Sequence, residues 1–129
     1  MAVWSFRCYM TMAGEDVVDA WYREQDGEVR GKFDALLEHL GNRQRGDWRR
    51  PHFDLLSGIC KGLGEFRVKA RSGEYRVLGC FGLERMAFIL LIGFKKTRDS
   101  NTNAACRTAH TRRKEVFYDA ARARPCRLP

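Results

Sequence analysis

Residues 62–97 constrain the fold more than any other part of the chain, because they spell three strands in succession with no room for a crossover between them. Over residues 63–70 the side chains alternate, with Phe66, Val68 and Ala70 on one face and Glu65, Arg67 and Lys69 on the other. Arg71-Ser72-Gly73 marks a turn, Gly73 being free to take positive φ. Residues 75–81 form the second strand and 82–85 the next turn. From Met86 to Ile92 runs an unbroken apolar stretch suited to a covered strand. Links this short imply antiparallel pairing, since a parallel connection needs about a dozen residues or more.

Charge distinguishes this meander from an ordinary core. Arg67, Lys69 and Arg76 interrupt strands that otherwise want burial, and Lys95-Lys96 closes the third. Paired antiparallel strands bring facing side chains within about 5 Å. Like charges that close destabilise one another, so they suggest an absent polyanion; Glu65 and Glu74 are the alternative, as internal counter-ions. The net charge of +8 is unevenly placed. Residues 1–60 hold 8 Lys/Arg against 10 Asp/Glu, a net of −2, and residues 61–129 hold 16 against 6, a net of +10. A basic half containing the sheet is the footprint of phosphate binding.

The rest of the chain supplies helices. Residues 2–10 read as a first strand. Gly14-Glu15-Asp16 opens a helix with the stripe Val17, Val18, Trp21 and Tyr22, broken at Asp26-Gly27. A second helix from about Glu28 places Val29, Phe33, Leu36, Leu37 and Leu40 at spacings of three and four, and ends at Gly41-Asn42. The aromatics of this half are core residues. Residues 43–52 form a basic loop holding Arg49, Arg50 and Trp48. Such a loop can bind single-stranded nucleic acid by phosphate contact and stacking, or can be an irregular connection whose tryptophan caps the core. Lys61 stands just before the sheet. Residues 104–124 form a C-terminal helix with Asn103 as its N-cap, bearing a solvated Arg112-Arg113-Lys114, and 119–129 are a flexible tail. The fold class is α+β: an antiparallel sheet packed against an N-terminal two-helix hairpin, with a C-terminal helix, in one domain spanning 1–129.

Five cysteines, odd in number and widely spaced without Cys-x-x-Cys, argue for free thiols and against both a disulfide framework and zinc. Residues 1–12 lack a secretory leader pattern, and no apolar run approaches the roughly 18–20 residues of a membrane span. The expectation is a cytoplasmic protein without membrane contact. No nucleophile elbow, phosphate loop or metal-ligand spacing is present, and His39, His52 and His110 are isolated; neither metal nor cofactor is expected.

Gly62-Leu63-Gly64-Glu65-Phe66-Arg67, then Tyr75-Arg76-Val77-Leu78, then Leu90-Leu91-Ile92-Gly93-Phe94-Lys95-Lys96-Thr97, resembles the RelE/HigB superfamily of toxins from type II toxin–antitoxin pairs. The likeness is to the phage-related HigB branch, whose pattern is Leu-x-Glu-Leu-Arg, Tyr-Arg-Val-Leu and Leu-Leu-His-Gly-Phe-x-Lys-Lys-Thr. It is good over residues 55–97 and loose before them. The resemblance implies a RelE-like fold and a metal-independent endoribonuclease cutting messenger RNA on the ribosome by attack of a 2′-hydroxyl on the adjacent phosphate. It also implies a cognate antitoxin, a small helix-turn-helix protein. Arg67 and Arg76 match the strand arginines that would clamp the phosphate. Lys69, Lys95 and Lys96 are nearby candidates for further phosphate contact or for the base, with Lys61, Arg49, Arg50 and Trp48 as outer nucleic-acid contacts. The chain departs from the motif at Ile92, where the family often has histidine, and lacks one residue between Phe94 and Lys95. The general acid is therefore unassigned, with Tyr75, Tyr118 and His110 as weak candidates. The alternative is a non-catalytic relative, either a gyrase-inhibiting ParE-like toxin or a phage-derived binding protein.

Overall fold

The computed structural model describes residues 3–127. Six strands form one sheet: β1 (Ser5–Tyr9), β2 (Phe53–Leu55), β3 (Gly64–Ala70), β4 (Gly73–Phe81), β5 (Ala87–Lys96) and β6 (Ala123–Pro125), in the order β2-β3-β4-β5-β1-β6. The meander pairs as its short turns require, β3 with β4 and β4 with β5, both antiparallel. β1 adds to β5 in parallel, and the connection it needs is supplied by the helices and loops between them. The α+β class expected from the sequence holds.

The two predicted helices are α1 (Val17–Arg23) and α2 (Gly27–Gly41), each started by an aspartate. Asp16 accepts from Asp19 N at 2.9 Å and Asp26 from Val29 N at 2.9 Å, so Asp26 caps α2, while α1 has already ended at its C-cap Glu24. Val18, Tyr22, Val29, Phe33, Leu36 and Leu40 bury their stripe against Phe66, Val68, Tyr75, Val77, Phe88 and Leu90 of the sheet. The hairpin sits close enough that a Cβ on Gly93 would collide with the Trp21 ring. Trp48 fills the centre of the aromatic group, 4.7 Å from Trp4 and 5.3 Å from Phe53 by ring centroid, and donates Nε1–H to Leu40 O at 2.8 Å.

The other face of the sheet is covered over part of its length by α3 (Asp99–Tyr118). Ala105, Cys106, Ala109 and Val116 pack there on Leu63, Leu78, Cys80, Ile89 and Leu91. The apolar run of β5 is thus explained by cover on both faces. α3 starts at Asp99, with Arg98 and not the expected Asn103 in the N-cap position, and Asn103 lies within the helix. It also ends sooner. Residues 120–122 form a short turn and β6 pairs antiparallel with β1, so the tail expected to be flexible from residue 119 is tied into the sheet through Pro125. The strand expected from residue 2 begins at Ser5; Met1, Ala2, Leu128 and Pro129 lie outside the described residues.

Free thiols at all five cysteines are not what the fold holds. Cys8 and Cys126 are joined, as are Cys60 and Cys106, leaving Cys80 reduced and buried. Separations of 118 and 46 residues hid the pairs, because the β1–β6 pairing and the seat of α3 bring these positions together only in three dimensions. Burial pushes the Cys80 thiol up to about 11, which makes it a packing residue. Among the described residues, no helix is long and apolar enough to cross a membrane.

The Cys60–Cys106 link ties α3 to the turn before β3, and breaking it should cost about 2–4 kcal/mol. Cys60→Ala/Cys106→Ala should therefore melt well below the parent. Dithiothreitol should lower the parent's melting temperature by more than that of this variant. Equal melting with and without reductant would show that the pairs do not support the fold.

Candidate active site

The site follows from which residues the ladder places side by side. Directly opposed residues of antiparallel strands share a face. Arg67 faces Arg76, which faces Phe94; Glu65 faces Leu78, which faces Ile92; Lys69 faces Glu74, which faces Lys96. These three rows lie on the α3 side of the sheet. α3 covers the row of Leu78 and the apolar residues beyond it, and Ile92 and Phe94 pack at its margin. The rows of Arg67 and Lys69 lie past that margin. A cleft of about 240 Å³ opens beside them, lined by Arg50, Pro51, Arg67, Lys69, Glu74 and Arg76.

The register shifts between Leu78 and Gly79, leaving Leu91 as the extra residue of β5. Leu91 and Ile92 consequently both pack toward α3, and Arg112 of α3 donates Nη1–H to Leu91 O at 2.8 Å. Arg112 is half-buried, which the expectation of a solvated Arg112-Arg113-Lys114 run did not foresee.

Arg76 is only 2% exposed. Its Nη2 donates to Glu74 Oε1 at 3.1 Å, its Nη1 to Tyr75 O at 3.1 Å, and its Nε stands 3.5 Å from Glu65 Oε1 without a hydrogen bond. Of the two readings of the strand cations, the one with Glu65 and Glu74 as internal counter-ions describes Arg76. It is the hub of an ion-pair cluster, because it lies between two glutamates that register places on its own face. Burial raises the Glu65 carboxyl above its ordinary value although Arg76 and Arg67 pull it down. The hydrogen bond from Arg76 holds Glu74 below its ordinary value. Arg67 differs: it is half-buried, reaches the surface and takes part in no ion pair among the described residues.

The remaining candidates divide. Lys69 is exposed on the Arg67 face, and Lys96 is partly exposed on the same face. Lys95 lies on the opposite face, with Nζ 6.0 Å from the Tyr75 ring centroid, so its placement beside the arginines is corrected by strand parity. Tyr75 is on that far face too, its hydroxyl 2.7 Å from Ser72 Oγ, and cannot serve a phosphate held by Arg67. His110 Nε2 is engaged 2.7 Å from Ile59 O, and Tyr118 is fully open at the end of α3. Ile92 offers no titratable atom where the resembled motif often has histidine.

In the outer loop, Arg49, Arg50 and Lys61 are exposed, and Arg50 pairs with Asp54 at 2.9 Å. Trp48 is 3% exposed and offers no face to a base, so of the two readings of the loop the core-capping one describes Trp48. Sequence reasoning passed over His39 and His52, whose rings stand 5.8 Å apart beside Arg67's cleft; nothing in their spacing signals the approach. No group of three or more metal-ligating side chains occurs among the described residues.

The two arginines should separate in stability. Arg76→Ala strands Glu65 in a buried site and should cost about 3–5 kcal/mol. Arg67→Ala should stay within about 1 kcal/mol of the parent. Thermal melts of both variants decide this, and equal losses would refute the assignment of Arg76 as hub. The Glu65 shift carries its own sign. A carboxyl raised on folding binds its proton more tightly in the native state, so its stabilisation is complete below the ordinary glutamate value and is lost as pH rises through the raised one. Relative to the parent, Glu65→Gln should therefore gain stability as pH rises from about 4 toward neutrality. A constant difference across that range would show that Glu65 is not perturbed.

No curated protein matches the sequence significantly. A solved structure of a double arginine-to-alanine mutant of the E. coli toxin RelE in the free state is similar over 87% of this chain and 98% of that chain, at 18% identity and a TM-score of 0.46. The family model "Phage derived protein Gp49-like (DUF891)" matches residues 20–114, which include both helices of the hairpin, the whole meander and most of α3. The chain belongs to this phage-derived Gp49-like family.

Proposed function

We propose that this protein is the toxin of a type II toxin–antitoxin pair and a metal-independent endoribonuclease acting on messenger RNA at the ribosome. The observation that carries the reading is Arg67: a half-buried guanidinium that reaches the surface without a counter-ion among the described residues, directly opposite a second arginine and flanked by Lys69. A free planar fork beside a cleft suits a phosphodiester, whose two unbridged oxygens it can meet together.

The reaction needs few parts. The 2′-oxygen bonds to the adjacent phosphorus, the bond to the 5′-oxygen breaks, and a 2′,3′-cyclic phosphate and a 5′-hydroxyl result. A base takes the 2′-hydroxyl proton and an acid returns one to the leaving oxygen. Arg67 binds the phosphate and offsets the charge that grows on it. Arg76, held by Glu65 and Glu74, sets the field behind that phosphate and lies against the same cleft. Lys69 and Lys96 supply further cationic contacts or the base, while Lys61, Arg49 and Arg50 meet flanking nucleotides. The partner is a small helix-turn-helix antitoxin that masks this face.

One observation favours the other reading, a relative that binds without cutting: α3 covers part of the face, and Arg76's charge is already answered by two carboxylates. Induced expression with transcript-end mapping separates them. Ribonuclease action leaves codon-positioned RNA ends, and gyrase inhibition leaves DNA breaks. Losing one charge-assisted donor to a transition state costs roughly 100–1,000-fold in rate. Arg67→Ala should thus lose cleavage by that factor while melting like the parent. A folded Arg67→Ala protein that still cuts at the parental rate would end the clamp assignment.

A further inference from the structure

The cleft beside Arg67 and Arg76 does not stop at the sheet face. Pro51 lines it, and Pro51 also lines two neighbouring clefts on the other side of the β3 edge. The first, about 490 Å³, lies between α2 and the outer end of β3; Arg67 and Lys69 form one wall, and Lys32, His39 and His52 stand opposite. The second, about 320 Å³, continues past the same two histidines to Arg43, Arg49 and Arg50. Each neighbouring pair of clefts shares at least two residues, so the three make one winding track around the edge of β3.

The edge is open for a structural reason. β2 pairs only with Gly64, Glu65 and Phe66, after which His52 O accepts from Arg67 N at 3.0 Å and the pairing ends. The remainder of β3 borders the track. Along it the cations are Arg76, Arg67, Lys69, Lys32, Arg50, Arg49 and Arg43, against Glu74 and Asp47 among the lining acids. Glu74 is committed to Arg76, Arg50 to Asp54 and Lys32 to Glu28, which leaves Arg67, Lys69, Arg49 and Arg43 as the cations without an ion pair among the described residues. At the midpoint the His39 and His52 rings meet edge to face at 5.8 Å, both side chains exposed.

From this continuity we infer that the track is a binding path for single-stranded RNA, extending from the clamp at Arg67 to a second phosphate subsite at Arg43 and Arg49, with His39 and His52 between them as a platform for a base. The inference rests on the ribonuclease reading given above and adds where the strand goes. Three features select RNA over an acidic peptide. The largest cleft has the volume of a small-ligand site. Its apolar floor of Ala35, Leu36, Pro51 and Val68 and the two imidazoles suit the flat face of a base. The cations are spread along a line, as a backbone of repeated phosphates requires.

Fluorescence anisotropy with 2′-O-methylated RNA, which cannot be cut by 2′-hydroxyl attack, tests the path. The probes are a dinucleotide, which the clamp alone can hold, and a decanucleotide, which can fill the track. For the parent the longer probe should bind more tightly. His39→Gln/Arg43→Gln should weaken the decanucleotide by about tenfold, the loss of one charge-assisted bond. It should also make the salt dependence shallower by about 0.7 for each phosphate contact removed. Dinucleotide binding should not change, and melting should confirm that the variant is folded. If the variant binds the decanucleotide as the parent does while Arg67→Ala weakens both probes, the clamp stands and the track is wrong. If the parent binds neither RNA at low salt, the ribonuclease reading fails and takes the track with it. If polyglutamate binding is sensitive to His39→Gln/Arg43→Gln and decanucleotide binding is not, the track receives an acidic protein segment and the RNA path is overturned.

Discussion

One extra residue in β5 decides which charges this protein can present together. Before Leu91 the strand sends Phe88 and Leu90 toward the helix hairpin; strict alternation would send Ile92, Phe94 and Lys96 the same way. The irregularity opposite the Leu78–Gly79 link reverses that parity, so Ile92, Phe94 and Lys96 join Leu78, Arg76 and Glu74 on the α3 side. Gly79 marks the place where the backbones close in: a Cβ there would strike Ile89 O and the Phe88 ring. Arg112 hydrogen-bonds the displaced Leu91 carbonyl, so α3 covers the apolar rows and holds the irregularity that ends them. Beyond that point the face is polar apart from Phe94, and it is there that Arg67 reaches the surface.

Electrostatics then distinguishes two arginines that strand pattern treats alike. Two like charges about 5 Å apart at an effective dielectric of about 20 repel by about 3 kcal/mol. The sheet relieves this unequally. Arg76 is pinned by Glu65 and Glu74, its charge answered inside the fold, while Arg67 is left to solvent and to whatever anion enters the cleft. A buried ion-pair hub adds little net stability compared with apolar packing, but it fixes where the second guanidinium is and keeps it from swinging to meet a ligand. On the reading proposed above, function and structure are divided between facing residues: one guanidinium is left to bind and the other is held by its carboxylates.

Local periodicity carried the fold far and the site only partly. The alternation of Phe66 and Val68 against Arg67 and Lys69, the short turns and the spacing of Phe33, Leu36 and Leu40 each depend on neighbours in sequence, so strands and hairpin were legible. The features that were missed depend on contacts across the chain. Cys8 meets Cys126 only because β6 pairs with β1, and the same pairing removes the freedom expected of the tail. Lys95 and Lys96 look equivalent in sequence, and only parity after the irregularity separates them. Trp48 sits in a loop rich in arginine, yet its indole completes an aromatic core whose other members come from β1, β2, β3, β4 and β5.

An open strand edge offers a competing account of the cations. Unpaired edges invite association with other strands, and charged side chains are a common way to prevent it. Lys69 fits that role at the outer end of β3, where β2 no longer pairs. The account does not extend far, however. Edge protection needs charge on the edge strand alone and is indifferent to its sign, whereas here Arg76 lies on the central strand β4 and Lys96 on β5, one and two strands in from that edge. Nor does it need Arg43 and Arg49, which belong to no strand. Edge protection therefore explains Lys69, and the ion pairs with Glu65 and Glu74 explain Arg76, but neither accounts for Arg67 and Lys96 on the same face. On the ribonuclease reading proposed above, a bound polyanion gives these two cations a purpose.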